Sequence, residues 1–454
     1  MKQEPTTHSS ATHGSEPLAG AYFGLLAFLV VYCGRPEDWI AELQVVPLAK
    51  ITGAFALAAL ALSLGQARRL PGEMIYLSLL FAQLCLTVPF SPVYRGGAFN
   101  FVLEFSKVVA IVLVVVLAVS TLARLRWLIF TQTTCVLAIT VASLVKGHLL
   151  LGRLEGASRG IYANPNDLAF AIALTIPFCF AFMLRARDGL RKAAWFLAAG
   201  VMAYTLFLTA SRGGLVALVV TMGVVLKEFA VKGGRRYLLI LAGLVVLTVS
   251  LLAGGGLMKR FEGLSGPSLK SAAEVGAHGS AIARGQLLWR SLVVTAQHPL
   301  LGIGPGNFPI VAGWHVAHNS FTEMSAEGGL PALILFILLL RRAFQNVRKV
   351  QLLAPGQSEE MLLAVALRAS LAGFVAGAFF ASVEYHLFAY FLVAYTSALY
   401  AIAAKHASQA QSPQRTTEAP PERQDQREDR GDTITWDDYQ RGRALSSAGR
   451  LGER

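Results

Sequence analysis

Runs of about 17–25 consecutive apolar residues recur from one end of this chain to the other. Nothing else in the sequence constrains its fold as strongly. A run of that length spans the hydrocarbon of a bilayer as a helix, the one open-ended structure that satisfies every backbone N–H and C=O internally. Twelve such spans are expected, near 18–34, 45–64, 73–90, 100–119, 127–146, 166–184, 193–210, 213–230, 236–253, 319–340, 361–381 and 386–403. The fold class is therefore an all-α polytopic membrane protein of about twelve transmembrane helices, with one large outward loop between spans 9 and 10. That loop, 254–317, divides spans 1–9 (18–253) from spans 10–12 (318–403).

A formal net charge of +13 invites a nucleic-acid reading, but 54% of the 454 residues are hydrophobic and only 15% charged, and the positive residues sit in short loops. Every second loop is the basic one, as at Arg68–Arg69, Arg185/Arg187/Arg191/Lys192 and Arg341/Arg342/Arg348/Lys349. The bias of Lys and Arg towards the cytoplasm then puts both termini inside, and no nucleic-acid partner is expected. Residues 1–17 read as a disordered cytoplasmic leader before a retained first span. Residues 404–454, rich in Gln, Arg, Glu, Asp, Pro and Ser, read as a disordered cytoplasmic tail. Cys33, Cys85, Cys135 and Cys179 lack paired spacing, so neither a disulfide framework nor a thiolate metal site is expected.

The same alternation turns the unusual polar residues outward. His315 and His318 precede the tenth span, where Ser320 and Glu323 stand at capping-box spacing, so the helix is expected to begin at Ser320 with His318 and Asn319 just outside. An imidazole there meets both water and a lipid-borne substrate. Arg212, in the turn Leu208-Thr-Ala-Ser-Arg-Gly-Gly-Leu215, is either a snorkelling anchor or a phosphate contact that Gly213 and Gly214 leave room to approach. Arg159 lies before Asn164-Pro-Asn166-Asp167, which reads as a turn and helix cap. Residues 281–297 read as one amphipathic helix with Trp289, Leu292, Val293 and Ala296 on a common face, and Arg284 and Arg290 on others. Gly302-Ile-Gly-Pro-Gly306 reads as a turn, since neither a strand nor a Lys-Ser/Thr flanks it. Glu37 and Asp38 form an acid pair by the first outer loop, open to a metal or a base role.

Tyr162-Ala-Asn-Pro-Asn-Asp-Leu-Ala169, Thr209-Ala-Ser-Arg-Gly-Gly214, Arg290 with His298-Pro-Leu-Leu-Gly-Ile-Gly-Pro-Gly-Asn-Phe308, and His318-Asn-Ser with Glu327-Gly-Gly329 follow one another in this order. In that order they resemble the bacterial O-antigen ligase/polymerase family, polytopic glycosyltransferases of the GT-C type, over roughly residues 160–340. The resemblance implies transfer of a glycan from undecaprenyl diphosphate to an acceptor hydroxyl on the periplasmic face of the inner membrane. The acceptor would be lipid A-core, a growing glycan chain or a protein. It also implies His318 as catalytic base, with Arg212 as the firmest match to the diphosphate clamp, Arg159 and Arg290 as weaker ones and Arg284 as an unaligned neighbour. Asn319, Ser211, Gly213 and Asn166 would support them. Glu327-Gly-Gly departs from the family's Glu-x-Gly followed by an apolar residue.

The chemistry agrees with elementary expectation. A departing sugar diphosphate is an anion that needs fixed positive charge, and one imidazole can take the acceptor's proton, so neither a metal nor a cofactor is called for. A transporter or flippase of lipid-linked sugar is the competing reading, with Glu104, Ser106 and Lys107 as its intramembrane polar residues. A scaffold or sensor acting through the tail is the third.

Overall fold

The computed structural model describes residues 18–63, 65, 70–150, 153–157, 160–245, 247–248, 272–356 and 358–411. These belong to a compact unit, Met1–Gln409; of the remaining unit, Ala410–Arg454, only the end of the last helix is described. The helices are α1 Ala19–Gly34, α2 Leu48–Leu62, α3 Met74–Phe90, α4 Arg95–Ala118, α5 Leu122–Lys146, α6 Pro165–Arg185, α7 Gly189–Leu208 and α8 Arg212–Val225. They continue with α9 (237–245), α10 Ala272–Gln297, the single turn α11 Phe308–Val311, α12 Ser320–Leu353, α13 Glu359–Ala378 and α14 Leu387–Gln411. Helices overlap the expected spans, although over the ninth, 236–253, helix is described only at 237–245 and 247–248. Among the described residues, seven segments can cross a membrane by length and composition: α4, α5, α6, α8 with its π-helical extension to Lys232, α12, α13 and α14. Three shorter apolar helices, α1, α2 and α3, join them. The chain is thus an all-α multi-pass membrane protein. Among the described residues the departure from helix is a two-stranded antiparallel ladder in the α5–α6 loop, β1 Leu149–Leu150 on β2 Arg153–Leu154.

Local chemistry sets where the helices start. Asn164 caps α6 by accepting the Asn166 N–H at 2.9 Å, and Pro165 fills the first helical position, where no N–H is needed. The α6 sequence is apolar on every face, and the helix is buried on every face from Leu168 to Met183, the fate expected of such a helix. It packs against α7, α8 and α13, and the Ser370 hydroxyl on α13 donates to the Leu174 carbonyl at 2.7 Å. At the end carrying the basic loops, Arg126 and Arg185 both pair with Glu359, at 3.1 and 3.0 Å. Nearby, the Asn346 amide donates to Glu73 at 2.6 Å.

α12 is the element that shapes the opposite end. Its backbone breaks at Gly329, where φ is +77° and ψ 174°, a conformation open essentially to glycine alone. The break frees carbonyls that the 298–306 turn takes up. Ile303 N–H donates to Ala326 O and Gly304 N–H to Glu327 O, both at 2.9 Å, while Leu330 N–H donates to Pro299 O at 2.7 Å. A Cβ on Gly302, itself at φ +64°, would stand 2.3 Å from Glu327 O. The glycines of 302–306 therefore form a turn docked into a broken helix, as their flanks predict, and the Glu327-Gly-Gly departure is the break itself.

Candidate active site

Four loops meet at this end of the bundle: α5–α6, α7–α8, the one before α12, and α13–α14. The α7–α8 turn is held by a network centred on Asn166. Its Oδ1 accepts the Ser211 hydroxyl at 2.9 Å and an Arg153 N–H at 2.8 Å, and Arg153 also donates to Thr209 O at 3.0 Å. Ser211 caps α8 by accepting the Gly214 N–H at 3.2 Å. Asn166 and Ser211, both expected to support Arg212, thus touch each other. Arg153 was not singled out from the sequence, where it is one more basic residue in a loop with several.

The glycines after Arg212 have a different use from the one expected. A Cβ on Gly213 would lie 2.9 Å from Phe380 Cβ, and one on Gly214 would lie 2.5 Å from Ala169 Cβ. Their missing side chains admit neighbouring protein, and the Gly214 N–H is already spent on the cap. The open approach for phosphate that the pair suggested is filled by α6 and the α13–α14 loop.

The start of α12 also differs in detail from its expected capping box. Asn319 is the cap, its Oδ1 accepting from Phe321 N–H at 3.0 Å and Thr322 N–H at 3.2 Å. Ser320 is the first helical residue; its hydroxyl donates to Ala381 O at 2.7 Å and accepts the Val383 N–H at 2.9 Å. Glu323 reaches past the helix start to accept the Ala317 N–H at 2.8 Å and the Ser382 hydroxyl. Ser382 in turn accepts the His318 N–H at 3.0 Å. His318, outside the helix as expected, sits at φ +54° and is clamped from both sides. Ser382 carried no sequence signal, because its partners lie about sixty positions away.

Arg284 on α10 brings its charge to His318, and Arg212 at the head of α8 acts in turn on Arg284. Burial, then the charge of Arg212, holds the Arg284 guanidinium below its ordinary value, and its buried Nε finds no hydrogen-bond acceptor among the described residues. Burial first, then Arg284, then His315, lowers His318 to about 4. The imidazole is therefore neutral at pH 7, with a lone pair to offer. His315 is exposed and its Nδ1 is engaged with Gly313 O at 2.7 Å. Arg290 is exposed and is not among the charges acting on His318. Of the two arginines on α10, the structure thus brings the unaligned one, Arg284, to the histidine. Arg159 lies outside the described residues.

α10 begins at Ala272, nine residues before its expected start. It turns Ser291 and Val294 inward and leaves Trp289, Leu292 and Ala296 exposed, the sidedness read from its sequence. The acid pair Glu37–Asp38 is neutralised by Arg35, at 3.3 and 2.9 Å. Glu104 and Lys107 form an ion pair with each other on α4.

Behind the His318 loop lie three buried carboxyls, Glu323, Glu327 and Glu384. Glu327 Oε1 accepts the Phe308 N–H at 3.0 Å and thereby fixes the end of the 298–306 turn. Burial, then the charges of Glu323 and Glu327, push the Glu384 carboxyl well above the usual carboxylate range.

No curated protein matches the chain. Residues 197–337, which run from within α7 to within α12 and contain Arg212, Arg284, Arg290, His315 and His318, match the family described as O-antigen ligase. With that match lying across the segment that bears the arginines and the histidine, this part of the chain is similar to the O-antigen ligase family.

Proposed function

We propose that this protein transfers a glycan from undecaprenyl diphosphate to an acceptor hydroxyl at the periplasmic face of the inner membrane, using His318 as base and Arg212 and Arg284 as the diphosphate clamp. The observation that carries this reading is the half-buried Arg284 guanidinium, whose buried Nε lacks an acceptor among the described residues, under the charge of Arg212 and beside a neutral imidazole. The charge of Arg212 acts unfavourably on the Arg284 guanidinium, and an anionic ligand there would offset it. A diphosphate has the charge and the spread of oxygens to engage both.

In the proposed step His318 takes the proton of the acceptor hydroxyl as its oxygen bonds to the anomeric carbon. The bond from that carbon to the diphosphate oxygen breaks, its electron pair leaving with undecaprenyl diphosphate, whose developing charge the arginines stabilise. One displacement inverts the anomeric centre. Before the donor arrives, Arg284 depresses the basicity of His318; a bound diphosphate offsets that positive charge and raises it. Donor binding thus prepares the base. Ligase and polymerase differ only in the acceptor, lipid A-core or growing chain, and both fit this chemistry. The test is reconstitution of the purified protein with an undecaprenyl-diphosphate glycan and each candidate acceptor. Joined glycan with stoichiometric release of undecaprenyl diphosphate supports the reading. Movement of the lipid-linked glycan across the bilayer without joining would replace it with transport.

A further inference from the structure

A cavity of about 850 Å³ opens between α1, α2 and α4 and is closed at one side by the α13–α14 loop through Tyr385 and His386. None of Arg212, Arg284 or His318 lines it, so it is not the space where the arginines gather. Most of its wall is hydrocarbon or ring, including Phe28, Leu57, Phe105 and Ile111. Against that wall stand three charged side chains, Lys50, Glu104 and Lys107.

Their position is costly to maintain. α4 starts at Arg95 and crosses as a single apolar helix, so at 1.5 Å per residue Glu104 and Lys107 lie about 14 and 18 Å along it, near the middle of a hydrocarbon layer roughly 30 Å thick. Ionisable groups at that depth persist where they face a cavity and a partner. Glu104 and Lys107 pair with each other, yet remain 72% and 51% exposed, so the pair faces open space. Lys50, near the start of α2, is exposed and has no carboxylate partner among the described residues. The cavity therefore carries one ammonium neutralised by Glu104 and one that is not, on an otherwise apolar surface.

We infer that this cavity is a binding site for an anionic membrane phospholipid, whose hydrocarbon lies along Phe28, Leu57 and Ile111 and whose phosphate meets Lys50. The match is one of shape and charge together. An apolar groove alone would take any lipid chain, and the unneutralised lysine selects among head groups. Glu104 has the opposite sense, since it withholds Lys107 from the same phosphate. The site stands independently of the transfer reaction, although the loop that walls it is the one whose Ser382 clamps His318.

The charge arrangement makes a test with two opposite signs. The full-length protein, purified in a non-ionic detergent, would be titrated by native mass spectrometry with phosphatidylglycerol and with phosphatidylcholine of identical chains. The expected result is roughly tenfold preference for phosphatidylglycerol, the size of a contact to one unscreened charge of about 1.4 kcal/mol. Lys50→Gln should bring the two lipids within about twofold, whereas Glu104→Gln should widen the preference by releasing Lys107. Ala54→Trp, which projects bulk into the groove from an exposed position, should lower occupancy by both lipids. A merely structural ion pair would lose binding, or nothing, on either charge change. Equal binding of the two lipids, or a preference untouched by Lys50→Gln and Glu104→Gln, would overturn the assignment.

Discussion

The two sides of the His318 loop are built to opposite electrostatic plans. On one side Arg284, itself under the charge of Arg212, brings positive charge to a neutral imidazole and keeps a buried Nε without an acceptor among the described residues. On the other side Glu323, Glu327 and Glu384 are buried together, and two of them accept backbone N–H groups from the loops they hold, Ala317 and Phe308. Glu327 Oε2 and Glu384 Oε2 lack hydrogen-bond partners among the described residues, as Arg284 Nε does, so what separates the two sides is the sign of their charge and the loop backbone that the carboxyls hold. A carboxyl that accepts loop N–H groups fixes those loops, and its loss is felt first in the fold. On that contrast, changes on the cationic side should cost turnover with little cost in folding, and changes on the acidic side should cost folding first.

The largest effect is expected at His318. His318→Asn keeps a residue that tolerates the left-handed backbone and removes the base, so glycan transfer should fall by roughly 10²–10⁴ while the unfolding midpoint stays near wild type. His315→Ala should stay within a fewfold of wild type in the same assay. Equal losses at the two histidines would dissolve the distinction between them. Next come the arginines: Arg284→Ala or Arg212→Ala should each reduce turnover by about 10²–10³, with Arg290→Ala close to wild type. A larger defect at Arg290 than at Arg284 would show that the clamp had been placed on the wrong face of α10.

On the acidic side the expected effects fall on stability. Gly329→Ala forces a side chain into φ +77° and sets its Cβ 2.4 Å from Leu300 O, so a loss exceeding about 1–3 kcal/mol is expected in denaturation of the detergent-purified protein. Glu327→Leu removes the acceptor of the buried Phe308 N–H and should cost about 1–3 kcal/mol, whereas Glu327→Gln keeps an acceptor and should cost less. If Glu327→Gln abolished transfer at unchanged stability, the acidic side would belong to the chemistry and the contrast would fail.

Much of this was legible in the chain, and the reason differs by element. Membrane-length apolar runs announce their own helices, seven of them long and apolar enough to cross a membrane among the described residues, and the turn at 302–306 follows from its glycines and flanks. Side-chain partners were legible only when close in sequence. Asn164 as a cap needs nothing beyond three residues, but Ser382 meeting His318, or Phe380 filling the space over Gly213, depends on how separate helices pack. The Ser320–Glu323 spacing misled for the same reason: both side chains are drawn to the α13–α14 loop and to Ala317, and Asn319 caps instead. The choice of Arg284 over Arg290 turned on the rotation of α10 about its own axis, which the pattern of apolar residues left open between two polar faces.

Burial and the charge of Arg284 keep His318 uncharged in the free protein, and the pH dependence of kcat/KM for glycan transfer measures this, since that ratio reports groups of the free enzyme. His318 works deprotonated and its value is lowered to about 4, so the wild-type acidic limb should fall well below the ordinary imidazole range. Arg284→Gln removes a cause of that lowering, so on top of its reduced rate its acidic limb should move up in pH towards 6.5. A wild-type limb already at the ordinary imidazole value, unmoved by Arg284→Gln, would contradict the account.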